Sequence, residues 1–179
     1  MTVKESFGTE LQVDFEHTSP VNCAKIGVVM GSRSDIEPCT QYVFAMLEKL
    51  GIYYERGITS AHRTPERMGL YGRCAEERGL KVIIACAGGS AHLPGMLASE
   101  TTLPVLGIAP SKGDDAAKWS MIRMPSGVPL SFLGFAKAGA ENAVIMAARI
   151  LALHDAELHD RLTTFMHNQT ADVPYTCFD

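Results

Sequence analysis

The chain has 179 residues, 46% of them hydrophobic and 20% charged, with a formal net charge of −4 at neutral pH. That length suits one domain with a sizeable core, and the lack of any Lys/Arg-rich run or basic stripe argues against a nucleic-acid surface. Cys23, Cys39, Cys74, Cys86 and Cys177 are odd in number and form no CxxC pair. Reduced thiols in a cytoplasmic protein are therefore expected, not a disulfide framework or a zinc site, and no leader or membrane-length apolar run is seen.

Residues 1–22 are polar, lack sustained periodicity and end in Thr18-Ser19-Pro20. They read as an N-terminal extension, poorly ordered or lying on a neighbouring subunit. A single domain is expected over 23–170, with 171–179 as a tail. Lys25 to Met30 is a short β-branched run closed by Gly31, which predicts a buried first strand. Ser34 or Asp35 suits the cap of a following helix with Pro38 in its first turn. That helix carries Tyr42, Val43, Met46, Leu47 and Leu50 at helical spacing and stops at Gly51.

The cycle repeats, with strands predicted at Ile52–Ile58, Lys81–Ala87 and Pro104–Ala109. A helix is predicted from Pro65 to Arg78 and a short one near Leu93–Ser99. Alternating strands and helices imply a parallel sheet with helices on both faces, and continuous apolar strands fit burial on both sides. Residues 110–129 break the rhythm and read as a long functional or interface loop. A fifth strand follows at Leu130–Phe135, then a helix over Ala138–Leu153 that is apolar on nearly every face. Such a helix is expected to be buried all round, which in a chain this small calls for a second subunit. Asp155–His167 reads as an amphipathic terminal helix, and a homo-oligomer is expected.

Chemistry concentrates in the loops after the first three strands. Gly31-Ser32-x-Ser34-Asp35 offers close backbone approach, hydroxyl donors and a helix N-terminus suited to phosphate or ribose, although capping alone also accounts for Ser34 or Asp35. In Ser60-Ala61-His62-Arg63-Thr64-Pro65, Ser60 and Arg63 can clamp an oxyanion beside an imidazole able to give and take a proton. A local hydrogen-bonding role for His62 is the plainer alternative. Gly88-Gly89-Ser90-Ala91-His92 can cradle a carboxylate or close as a lid, or serve as a structural glycine turn. No P-loop lysine motif, GxGxxG or HExxH is present. Cys86, in an apolar strand, reads as packing. Metal ligation by His62 and His92 lacks carboxylate companions, so no metal is expected.

Taken together, Gly31–Asp35, Ser60–Pro65 and Ala87–Met96 closely resemble the PurE family of purine biosynthesis, whose usual pattern is GSxSD, SAHRTP and AGGAAHLPGM. Ser90 stands where an alanine is usual. The resemblance continues through Pro104–Gly107, Met124–Pro129 and Lys137–Ala140, and spans about residues 24–165. It implies a flavodoxin-like three-layer sandwich assembled as an octamer. It also implies conversion of N5-carboxyaminoimidazole ribonucleotide to 4-carboxy-5-aminoimidazole ribonucleotide, without cofactor, metal or ATP. Carried over by position, Ser32 and Asp35, with Ser34 in the same loop, contact phosphate and ribose. Ser60 and Arg63 help hold the nucleotide, and His62 is the general acid/base. His92, Gly88, Gly89, Ser90 and the adjoining Leu93 enclose the carboxylate and the CO2 released from it.

Two departures stand out. Ile36 replaces a usual tryptophan, and Ala109–Pro125 differs from the family's bacterial pattern. Arg123–Gly127 looks more like the family's second class, which carboxylates aminoimidazole ribonucleotide directly, whereas Arg63 and the Ala91–Gly95 segment follow the first. The mutase is the leading expectation. The alternatives are a direct carboxylase, a paralogue acting on a related ribonucleotide, and a silent nucleotide-binding protein.

Overall fold

The computed structural model describes residues 23–175 in full and, before them, the backbone of three short strands, β1 (Thr2–Lys4), β2 (Glu10–Gln12) and β3 (Glu16–His17). The expected order of the remainder of 1–22, and of 176–179 in the tail, lies outside the described residues. β1 and β2 pair antiparallel with each other, and β3 adds antiparallel to the edge of the main sheet.

The main sheet holds β4 (Ile26–Met30), β5 (Tyr54–Ile58), β6 (Val82–Cys86), β7 (Val105–Ala109) and β8 (Ser131–Phe135), all parallel, in the order β5-β4-β6-β7-β8. The helices are α1 (Gln41–Lys49), α2 (Pro65–Arg73), α3 (His92–Ala98), α4 (Asp115–Ile122), α5 (Ala136–Ala152) and α6 (Ala156–Ala171). Strand alternation divides the core. Ile26, Val28, Ile84 and Ile108 pack on one face with Val43, Leu47, Val144 and Ala147. Val29, Ile83, Ala85 and Val105 pack on the other with Met68, Leu97 and Met121. Covered on both faces, β4, β6 and β7 are apolar at every position. Among the described residues no helix is long and apolar enough to cross a membrane.

Three expectations about the elements change. The first helix does not start at Ser34 or Asp35. A tight turn (Arg33–Asp35) and a wide one (Ile36–Thr40) intervene before α1, and Pro38, which has no N–H to donate, sits in the wide turn. Segment 110–129 is not a plain loop, because α4 forms within it. Its buried side chains Ala117 and Met121 lie one turn apart, too narrow a stripe to stand out in a polar run. Met121 fits because its neighbour on β7 is Gly107, where a Cβ would lie 2.6 Å from its sulfur. Finally, the helix expected over Pro65–Arg78 ends at Arg73 as α2. Along α5 the Ala140, Ala143, Val144, Ala147 and Ala148 face is buried within the single chain, whereas Met146 is 39% exposed and the following Leu153 76% exposed, the surface a second subunit was expected to cover.

One ionic contact is built into the core. Glu55 on β5 is 1% exposed, and its carboxylate accepts from Arg78 Nη2 at 2.9 Å. The Arg78 guanidinium also lies 4.7 Å from the Tyr71 ring centre. Register places Glu55 beside Gly27, where a Cβ would come within 2.0 Å of the Tyr71 hydroxyl. Leaving Glu55 without its cation strands a buried charge. Arg78→Ala is expected to lower unfolding free energy by about 3–5 kcal/mol, read as a shifted urea midpoint with unchanged slope, while a loss under 1 kcal/mol would contradict the pairing.

Candidate active site

In an open sheet of this order, the chain leaves β4 in one direction and β6 in the other, so a crevice opens between their carboxyl ends. A cleft of about 570 Å³ lies there, walled by residues 31–35, 60–63, 87–93 and 110–114. It gathers every residue singled out from sequence: Ser32, Ser34, Asp35, Ser60, His62, Arg63, Gly88, Gly89, Ser90, His92 and Leu93. Sequence reasoning missed Pro38, Pro110, Ser111 and Asp114, which also line it. For Asp114 the signal was present as an acidic residue two positions before Ala116-Ala117, a helix start inside what was read as loop.

The first loop is ordered by its own acid. Asp35 Oδ2 accepts from the Ser32 N–H at 2.9 Å and from Ser32 Oγ at 3.2 Å, and the Ser32 and Ser34 hydroxyl oxygens are 2.6 Å apart. Asp35 thus folds back on its loop instead of capping α1. Burial pushes its carboxyl above the ordinary range, opposed by hydrogen bonds from Ser32 and Gly31.

In the second loop, Thr64 Oγ1 accepts from the Ser60 N–H at 2.9 Å and donates to the Ser60 carbonyl at 3.0 Å, which closes the turn. Pro65 then opens α2, where a missing N–H costs nothing. Arg63 donates to Ser60 Oγ from its backbone N–H at 3.3 Å and from Nε at 3.5 Å. Its terminal guanidinium nitrogens have no partner among the described residues, so they remain for an anion.

The third loop turns on Ala91, whose φ of 45° and ψ of 46° are left-handed. That costs an alanine roughly 1–2 kcal/mol and delivers His92 to the start of α3. There His92 Nδ1 lies 2.8 Å from His62 Nε2, with the rings nearly perpendicular at 82°. One nitrogen must donate and the other accept, so the tautomers of the two rings are linked. Both rings are exposed to the cleft. Their contact joins residues 30 apart in sequence, which no local pattern could reveal. Among the described residues, no group of three His, Cys, Asp or Glu side chains is placed to hold a metal ion.

A five-stranded parallel sheet covered on both faces, with its polar loops gathered at the switch point, defines a flavodoxin-like α/β protein with a small-molecule cleft. The family model described as AIR carboxylase matches residues 25–172. Proteins named N5-carboxyaminoimidazole ribonucleotide mutase are similar. The one from Escherichia coli K12 is 45% identical over 85% of this chain and 91% of its own length. That from Bacillus subtilis is 48% identical over 83% and 93%. A crystal structure of Treponema denticola PurE superposes with a TM-score of 0.73 at 28% identity, covering 83% of this chain and 92% of that one. The chain belongs to the AIR carboxylase (PurE) family, as its three loop motifs implied.

Asp35 makes the site's demand on stability measurable. Its folded-state affinity for a proton exceeds that of the unfolded chain, so stability falls as pH rises from the ordinary value of 3.8 through the raised one. Asn at this position keeps an acceptor for Ser32 N–H without the buried charge. The melting temperature of Asp35→Asn relative to wild type should therefore climb as pH rises above 3.8; a difference independent of pH would refute this.

Proposed function

We propose that this protein is an enzyme converting N5-carboxyaminoimidazole ribonucleotide to 4-carboxy-5-aminoimidazole ribonucleotide. The observation that carries the proposal is the 2.8 Å His62–His92 contact in a cleft whose other loops suit a sugar phosphate. The names of relatives at 45% and 48% identity over most of their length support the same reaction.

The rearrangement moves a carboxylate from nitrogen to carbon within one molecule. The carbamate C–N bond breaks, releasing CO2, and the exocyclic nitrogen takes up a proton. C4 of the ring then attacks CO2 and loses its own proton. One proton goes in and one comes out, so a single imidazole that alternates between acid and base suffices. We assign that role to His62, with His92 fixing its tautomer and lying beside the migrating carboxylate. Ser32, Ser34 and Asp35 hold phosphate and ribose, and Ser60 and Arg63 complete the anion clamp. Gly88, Gly89 and Ser90 close over the carboxylate, and Leu93 supplies an apolar wall. Retaining CO2 beside C4 keeps the second step effectively unimolecular.

We further propose a cytoplasmic homo-oligomer, an octamer by resemblance. Met146, Met166 and Val173 border a groove of about 720 Å³ at α5 and α6, a face suited to another copy of the chain. A monomer mass by light scattering would remove that part.

The reaction is tested by supplying the N5-carboxylated ribonucleotide and, separately, aminoimidazole ribonucleotide with bicarbonate. Fast turnover of the first alone is expected; efficient use of the second would make the protein a direct carboxylase. His62→Asn should lower kcat by at least about 10²-fold with ligand affinity changed only a few-fold. Equal loss of both would make His62 a binding residue.

A further inference from the structure

Asp114 has two tasks in the fold, one for each carboxylate oxygen. Oδ1 accepts from the Ala117 N–H at 3.0 Å and caps α4. Oδ2 accepts from the Gly89 N–H at 3.1 Å, across to the glycine loop. A serine would cap α4 as well, yet its single short hydroxyl could not also reach Gly89. The loop has little else to fix it at that point. Gly89 has a φ of +62°, and nothing lies within 4 Å of where its Cβ would stand. Within the loop, the Ala91 N–H donates to the Gly88 carbonyl at 3.1 Å. Beyond it, Ser120 on α4 places its hydroxyl 3.5 Å from the Ala91 carbonyl. α4 and its cap therefore touch the loop at Gly89 and again at Ala91, immediately before His92 and its contact with His62.

We infer that Asp114 is a positioning residue that ties α4 to the glycine loop and thereby keeps CO2 beside the ring between decarboxylation and recarboxylation. The inference rests on the proposed mutase reaction. It gives the divergent Ala109–Pro125 segment a task in that reaction: α4 is the fixed body against which the loop is held. If the loop loosens, CO2 escapes and the half-reaction ends as aminoimidazole ribonucleotide, the carbamate carbon leaving as CO2 and a proton replacing it on nitrogen.

The test uses substrate carrying ¹⁴C in the N5 carboxylate, turned over in unlabelled bicarbonate, with full-length wild type, Asp114→Ser and Asp114→Asn. Both variants retain a cap for α4. Serine drops the Gly89 contact, and asparagine turns an amide donor towards that N–H. The wild type is expected to pass its label into the C4 carboxylate. The variants are expected to release aminoimidazole ribonucleotide and lose label to the medium, with kcat down about tenfold, as for loss of one charge-assisted hydrogen bond. Exchange of the Gly89 amide with deuterium, measured in parallel, should quicken in both variants. A merely structural cap would leave label retention and Gly89 exchange unchanged, and that result overturns the inference. A wild type that cannot turn over this substrate overturns the reaction instead; altered exchange at Gly89 would then keep the tether but remove its role in retaining CO2.

Discussion

The backbone ladder of the parallel sheet continues past the strands into the roots of the site loops, and the site depends on it. Gly31 N–H donates to the Cys86 carbonyl at 3.1 Å, Thr59 N–H to Met30 at 2.9 Å, and Ala87 N–H to Ile108 at 3.2 Å. Each of these three loops therefore leaves the sheet with its first residue pinned to a neighbouring strand's end. Because the strands run β5-β4-β6-β7 side by side, all four loops leave from adjacent strands and can face one another. Imidazole, guanidinium and hydroxyl groups on separate segments then converge on one cleft. Catalytic geometry tolerates errors of less than about 1 Å, and a ladder buried on both faces is among the stiffest supports available to it.

The site is costly to the fold. Asp35 is buried against the preference of its charge, and Ala91 holds a left-handed backbone that a glycine would adopt freely. Such local costs cluster where function over-determines the structure, and here they lie beside loops tied to the core by backbone hydrogen bonds. The cores on the two faces of the sheet supply the offsetting stability. Close approach helps them: Gly27 admits the Tyr71 hydroxyl, and Gly107 admits the Met121 sulfur. Neither glycine is needed for a turn; each is needed because a side chain from the covering layer occupies the space of its absent Cβ.

Much of this was legible in the sequence because burial on both faces leaves a plain record. Ile26–Met30, Val82–Cys86 and Val105–Ala109 are apolar throughout, and each closes on a glycine, alanine or proline loop. The cleft residues were legible because three loop motifs retain a family pattern in order. What escaped was information carried by packing. α4 buries only Ala117 and Met121, so its helical period was faint. The His62–His92 contact and the Asp114–Gly89 bridge join segments far apart in sequence, and residue type alone does not say which partner each will meet. At α5, a composition apolar on nearly every face was read as a helix that a second subunit must help to cover. Within the single chain its Ala140, Ala143, Val144, Ala147 and Ala148 face is buried and Met146 stays at the surface, so which partner meets that second face is again a matter of packing that residue type does not state.

The central claim is that one cleft at the β4/β6 switch point holds the nucleotide and moves its carboxylate. The most direct measurement is a crystal structure with 4-carboxy-5-aminoimidazole ribonucleotide bound. The account predicts phosphate and ribose among Ser32, Ser34, Asp35, Ser60 and Arg63, C4 within about 3.5 Å of the His62 ring, and the carboxylate beneath Gly88–Ser90. A nucleotide bound outside this cleft, or an imidazole ring turned away from both histidines, would contradict it.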